Sequence, residues 1–299
     1  MLLEISPKYI NRYLFNEGIK TKKHQNIFEE GKETALAMQH ENYPLLDAAT
    51  RVTQEPGVIP TSFLQKVSMY IALIFSVLAI RFAAVWPYYT DMGGKYAWSH
   101  AHVFSYHPVM MVTAHGCFIL GGLAYRVPSI VENKAVHGLL HVSAVLFASI
   151  GIVAVFLSHD LGDDDSANLY SMHGWLGLST YVLTLAQSSV AIGVFAFPCA
   201  SMEIRRALLP YHRSTGQFII IIWAGVISSG IVEKTGFLGI CSYDVTSVDS
   251  NPASNYKAMP DVCHTGQWIG IFVLFAALFA SFALVSIAPA AAAAVNTKV

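Results

Sequence analysis

Four histidines open, or nearly open, apolar stretches of this chain: His107 in SYHP, His137 in KAVHGLLH, His173 in LYSMHGW and His212 in RRALLPYH. A neutral imidazole gives one ring nitrogen to a metal while a hydrogen bond holds the other, so it suits a transition metal in apolar surroundings. Two histidines at one depth can fill both axial positions of a haem iron. That leaves no open site for a small gas and suits electron transfer. A lone membrane histidine is more often a hydrogen-bonded packing residue. Ionisable groups at membrane depth are nonetheless rare and functional by default, and four at matching positions favour ligation.

The elements that must position them follow from composition. The chain has 299 residues, 54% hydrophobic and 12% charged, with mean hydropathy +0.49. Soluble domains carry about 25% charged residues, so a membrane protein is expected. The net charge of −1 lacks the basic footprint of a nucleic-acid partner. Six apolar stretches, near 66–87, 104–125, 137–158, 173–197, 211–232 and 266–289, each approach the ~20 residues that span hydrocarbon as a helix. No strand alternation points to a barrel, and backbone in lipid must be paired within its own segment. The fold class is therefore an all-α membrane protein with six transmembrane helices, the four central ones carrying two haems. Residues 1–65 read as a mostly irregular cytosolic tail containing Pro44, Pro56 and Pro60, residues 66–289 as the membrane domain, and 290–299 as a short C-terminal tail. The polar start gives no sign of a secretory leader.

Basic residues orient the spans. Lys66, Arg126, Lys134, Arg205, Arg206 and Arg213 fall on one side. Asp91, Asp160, Asp163, Asp164, Asp165 and Asp244 fall on the other. The positive-inside tendency puts both termini in the cytosol. Partners at equal depth are then His107 with His173 on the outer side and His137 with His212 on the inner side. His141 lies one helical turn beyond His137 on the same face, and spacing alone leaves open which of them is the ligand. His115 reads as a mid-membrane packing or hydrogen-bonding residue. Cys241 and Cys263 share an outer loop where disulfides are permitted; bridged and free thiols both remain open. Glu41–Leu46 (ENYPLL) resembles an acidic dileucine sorting signal, which points to a vacuolar or endolysosomal membrane.

The motifs SYHPVMM, AYRVP, KAVHGLLH, AVFLSHD, NLYSMHGWLG, FAFP and ALLPYH, in that order, resemble the cytochrome b561 family over about residues 66–289. The resemblance implies a six-helix, usually homodimeric, transmembrane ascorbate-dependent oxidoreductase with two haems b, each bis-histidyl. It places the iron ligands on His107, His137, His173 and His212, and so favours His137 over His141. It further implies cytosolic ascorbate binding at Lys134 and Arg206, a basic residue at the inner haem edge in Arg126, and an acceptor site near His159 and Tyr170. The acceptor is expected to be monodehydroascorbate or ferric iron. Lys134 and Arg206 are also ordinary positive-inside charges, and His159 has an ordinary loop reading. A competing reading of the whole chain is a haem-bearing helical membrane subunit that anchors a larger complex.

Overall fold

The computed structural model describes residues 62–126, 133–160, 168–197, 200–241 and 259–285. The Glu41–Leu46 motif, most of the expected N-terminal tail and all of the C-terminal tail lie outside the described residues. Six long helices order the described residues: α1 (Phe63–Val85), α2 (Tyr106–Leu123), α3 (Asn133–Asp160), α4 (Met172–Ala191), α5 (Met202–Leu238) and α6 (Asp261–Leu284). Among the described residues, six helical stretches built on them are long and apolar enough to cross a membrane. The protein is thus an all-helical, multi-pass membrane protein.

The ends differ from expectation for local reasons. α1 begins three residues early because Ser62 and Gln65 form a reciprocal cap: Gln65 N–H donates to Ser62 Oγ (3.2 Å) and Ser62 N–H to Gln65 Oε1 (3.0 Å). α5 runs 37 residues, about 55 Å at 1.5 Å per residue, against an expected 211–232. The helix passes through Pro210 and is started by Ser201, whose side chain accepts from Ile204 N–H. It stops at Gly239, where φ is +69°, a value glycine tolerates. α6 is shifted toward the N-terminus, starting after Pro260. Its last carbonyls are taken by side chains: Gln65 Nε2 donates to Val285 O (2.6 Å) and Arg126 Nη2 to Leu284 O (2.7 Å).

α1 packs along α6 through small residues. Ala72, Ser76, Ala79 and Ala83 on α1 and Ala276, Ala277, Ala280 and Ala283 on α6 are all buried, which lets the backbones approach without a solvent-driven hydrophobic force. Phe75 stacks on Phe272 and Phe275 at 5.8 and 5.4 Å. Hydroxyls inside the spans return their protons to the preceding turn, as in Thr113 to Val109 O (2.7 Å), Ser149 to Val145 O (2.7 Å) and Thr184 to Thr180 O (2.8 Å). They therefore need no water. α3 and α4 are the least covered spans, with 22% and 11% of their apolar windows buried, and their outward faces are apolar.

Cys241 and Cys263 are disulfide-bonded across a sequence separation of 22, which resolves the alternative left open above. The bridge ties the end of α5 to the first turn of α6. A loop of this length restricts the unfolded chain by about 3 kcal/mol. Cys241→Ser is expected to lower the thermal midpoint, and reductant to lower that of wild type equally while leaving the variant unchanged. Equal midpoints for wild type with and without reductant would show that the bridge is energetically idle.

Candidate functional site

α2 to α5 bring the four histidines into two facing pairs. The rings of His107 and His173 lie 6.1 Å apart between centroids and nearly perpendicular (82°). Those of His137 and His212 repeat the arrangement at 6.1 Å and 74°. Two metal–imidazole bonds of roughly 2.0–2.1 Å each, with the ring radii added, come to about 6 Å. Each pair is therefore spaced to take one metal ion between its rings.

A hydrogen bond at Nδ1 decides which nitrogen faces that gap. His107 Nδ1 donates to Gly151 O (2.9 Å), His173 Nδ1 to Val226 O (3.0 Å) and His137 Nδ1 to Gly121 O (2.9 Å). In all three the Nε2 lone pair is left for a ligand. His212 differs. The Gln187 amide nitrogen sits 2.8 Å from both His212 O and His212 Nδ1, so Nδ1 accepts there. The ligand tautomer of His212 requires the Gln187 amide to turn its oxygen toward Nδ1.

These contacts obey one spacing. The residue fourteen places after each histidine supports a histidine of the other level or of the facing helix: Gly121 after His107, Gly151 after His137, Gln187 after His173 and Val226 after His212. Fourteen residues are close to four turns, so ligand and support share one helix face, and the two levels stand about 21 Å apart along the helices.

The His107–His173 pair opens into a cavity of about 450 Å³, lined by both rings and by apolar side chains including Phe104, Val112 and Trp223. Glycines make the room. A Cβ on Gly230 would lie 2.5 Å from the His173 ring, and one on Gly151 would meet Met110 and His107 O at 3.2 and 3.4 Å. At the other pair a Cβ on Gly121 would lie 2.8 Å from His141. Gly116 and Gly122, by contrast, pack against Ile80 and Leu284, and Gly138 faces open space. Gly151 and Gly230 were missed, although the fourteen-residue spacing points to the first.

His137 is the ring set opposite His212. His141 lies 4.3 Å from His137 and 5.6 Å from Phe118 between centroids, and its buried Nε2 has no hydrogen-bond partner. His115 is 2% exposed, with Nε2 against Ile220 O at 3.1 Å, a satisfied packing residue as expected. Arg126, 5% exposed, is engaged with the C-terminal carbonyls of α6, where a cation is favoured. Lys134 Nζ donates to Ala196 O (3.4 Å) and Arg205 Nη2 to Phe197 O (2.8 Å). Both cations thus converge just after α4, and Arg206 beside them is exposed. Arg205 was read only as an orienting charge.

At the mouth of the cavity His159 Nδ1 meets Asn168 Oδ1 (2.8 Å), and Asn168 Nδ2 donates to Asp160 Oδ1 (3.1 Å). Tyr170 OH donates to Glu233 Oε1 (3.1 Å). Burial, and then the Glu233 carboxylate, hold the Tyr170 phenol above its ordinary value of 10.0, so it remains a proton donor at neutral pH. His159 and Tyr170 line the same cavity as His107 and His173.

Two facing histidine pairs are thus stacked within a helical membrane bundle. The chain matches the family described as eukaryotic cytochrome b561 over residues 106–238. It is 36% identical over 167 residues to the lysosomal membrane ascorbate-dependent ferrireductase of Homo sapiens, covering 54% of this chain and 67% of that protein. It is 35% identical over 193 residues to the transmembrane ascorbate-dependent reductase of Sus scrofa (62% and 71%). To the probable ascorbate-specific transmembrane electron transporter 1 of Oryza sativa subsp. japonica it is 32% identical over 176 residues (56% and 74%). The chain belongs to the cytochrome b561 family, and membership implies a haem b cofactor.

Proposed function

We propose that this protein carries electrons across a membrane from cytosolic ascorbate to monodehydroascorbate or ferric iron on the far side, with one bis-histidyl haem b at each histidine pair. The observation that carries the reading is the pair of 6.1 Å ring separations at two levels. Haem b supplies a one-electron couple at each level. His107 with His173, and His137 with His212, would hold the iron, each through two imidazoles. Gly151, Val226 and Gly121 carbonyls fix three of the rings, and apolar side chains such as Phe104 and Trp223 keep water from the first pair. Related proteins are named for ascorbate-dependent reduction, one of them of iron, which supports the donor and leaves two acceptors.

Both termini are placed in the cytosol, with the His137–His212 pair nearer to it. The disulfide at the opposite end supports this, because disulfides persist in oxidising compartments. Ascorbate is an anion, and Lys134 and Arg206 near the end of α4 are its proposed contacts, with Arg126 beside the same end of the bundle at the edge of its haem. At the far mouth His159 and Tyr170 are proposed to contact the acceptor and supply a proton to it. The organisation into a tail over 1–65, a membrane domain over 66–289 and a C-terminal tail, the endolysosomal or vacuolar address and a homodimer joined through exposed apolar faces complete the proposal.

Vesicles loaded with ascorbate test it. They are expected to reduce an external ferric chelate or monodehydroascorbate only when they contain the protein. Arg206→Ala should slow haem reduction by ascorbate about tenfold, as for loss of a charge-assisted contact worth roughly 1.5 kcal/mol, and leave reduction by dithionite unchanged. Equal slowing with both reductants would reject the substrate role of Arg206. Absence of any ascorbate-driven reduction by haem-loaded protein would reject the donor.

A further inference from the structure

Lys234 lies near the end of α5, is half-buried, and lines the cavity shared by His107 and His173. Its Nζ stands 4.8 Å from the centroid of the Phe104 ring. That ring is in turn 5.9 Å from His107. The ammonium is thus one aromatic ring away from a proposed iron ligand. Among the described residues no carboxylate pairs with it: the adjacent Glu233 accepts from Tyr170, and Asp160 from Asn168. A ring face recovers only about 0.5–2 kcal/mol for a cation, whereas a partly desolvated charge without a counter-ion loses several. Among the described residues nothing supplies that counter-ion, and an anion bound in the cavity would.

We propose that Lys234 is the counter-ion for a carboxylate of the haem held by His107 and His173, and that this contact raises the reduction potential of that haem. The inference rests on the two-haem reading. Haem b carries propionate carboxylates, and a group that fills the gap between the two rings puts its edge in this cavity. A cation fixed there opposes the negative charge of the propionate and stabilises the added electron of the reduced state, in surroundings where charges are weakly screened. The same ammonium would also suit the anion of an incoming acceptor, which is the other source of this chemistry at the mouth.

Full-length wild type, Lys234→Met and Lys234→Arg would be compared by haem counting and by spectroelectrochemical titration without ascorbate or acceptor. Methionine keeps an alkyl stem over Phe104 and removes only the charge. Two haems are expected in each protein. In Lys234→Met one of the two midpoint potentials should fall by about a tenfold change in the reduced-to-oxidised ratio, some 59 mV for one electron. The other should be unchanged, and Lys234→Arg should restore the first. If Lys234→Met loses that haem altogether, retention by Lys234→Arg supports the charge, and loss in both overturns it. Unchanged potentials with two haems bound overturn the proposal, including the case in which only the KM for monodehydroascorbate rises and the anion is the acceptor. A wild type without two haems overturns the underlying reading instead.

Discussion

His173→Ala is expected to leave the purified protein with one haem in place of two, and His137→Ala to remove the other. The two losses should be spectrally distinct, because the pairs sit about 21 Å apart along the helices in different surroundings. On the proposed reading each ring is one of two ligands to an iron, so its removal would leave that iron on a single imidazole in a pocket shaped for two. The hydrogen bonds at Nδ1 sharpen the expectation. His173 and His137 are both held with Nε2 toward the partner ring. His141→Ala is the control at the second level, since His137 and not His141 is set opposite His212. It should keep both haems. A variant without His141 that has lost a haem, beside a variant without His137 that has kept both, would reverse the ligand choice.

Gly230→Ala should reach a similar endpoint by a different route. The added Cβ would lie 2.5 Å from His173 Cε1 and 2.9 Å from its two nitrogens, so the ring must leave its place. That movement breaks the bond to Val226 O and withdraws Nε2 from the gap facing His107. Overpacking of this kind costs roughly 1–3 kcal/mol. Alanine favours a helix over glycine by about 1 kcal/mol, so backbone propensity works against the expected loss and cannot produce it. Gly225→Ala, on the same helix with nothing within 4 Å of its Cβ, should retain two haems. The expected pattern is depletion of the haem at the His107–His173 level in Gly230→Ala alone. Full retention of both haems in Gly230→Ala would mean that the ring can move without losing the iron.

The spans were legible because hydrocarbon-length apolar runs allow few alternatives, and the pairing of histidines followed from helix direction. Helix ends were less legible. Ser62 and Gln65 cap each other, and α5 continues through Pro210; these outcomes depend on local bonds that hydropathy does not register. The ligand supports needed tertiary contact. Gly151 touches His107 and Val226 touches His173 across helices, and only afterwards does the fourteen-residue spacing read as a rule. Gly230 lacks even that signal, since its importance is the space it leaves for a ring on α4. Lys134 and Arg205 were visible as charges, but not as side chains gathered on the carbonyls after α4. The approach of Cys241 to Cys263 likewise depended on how α5 and α6 end and begin.

The haem content of the wild-type protein distinguishes two stacked sites from one. Haem per polypeptide, from a pyridine haemochromogen spectrum and a protein assay on the same sample, should come to two haems b, both reducible by dithionite. A saturated value of one or none, in folded protein supplied with excess haem, would contradict the account.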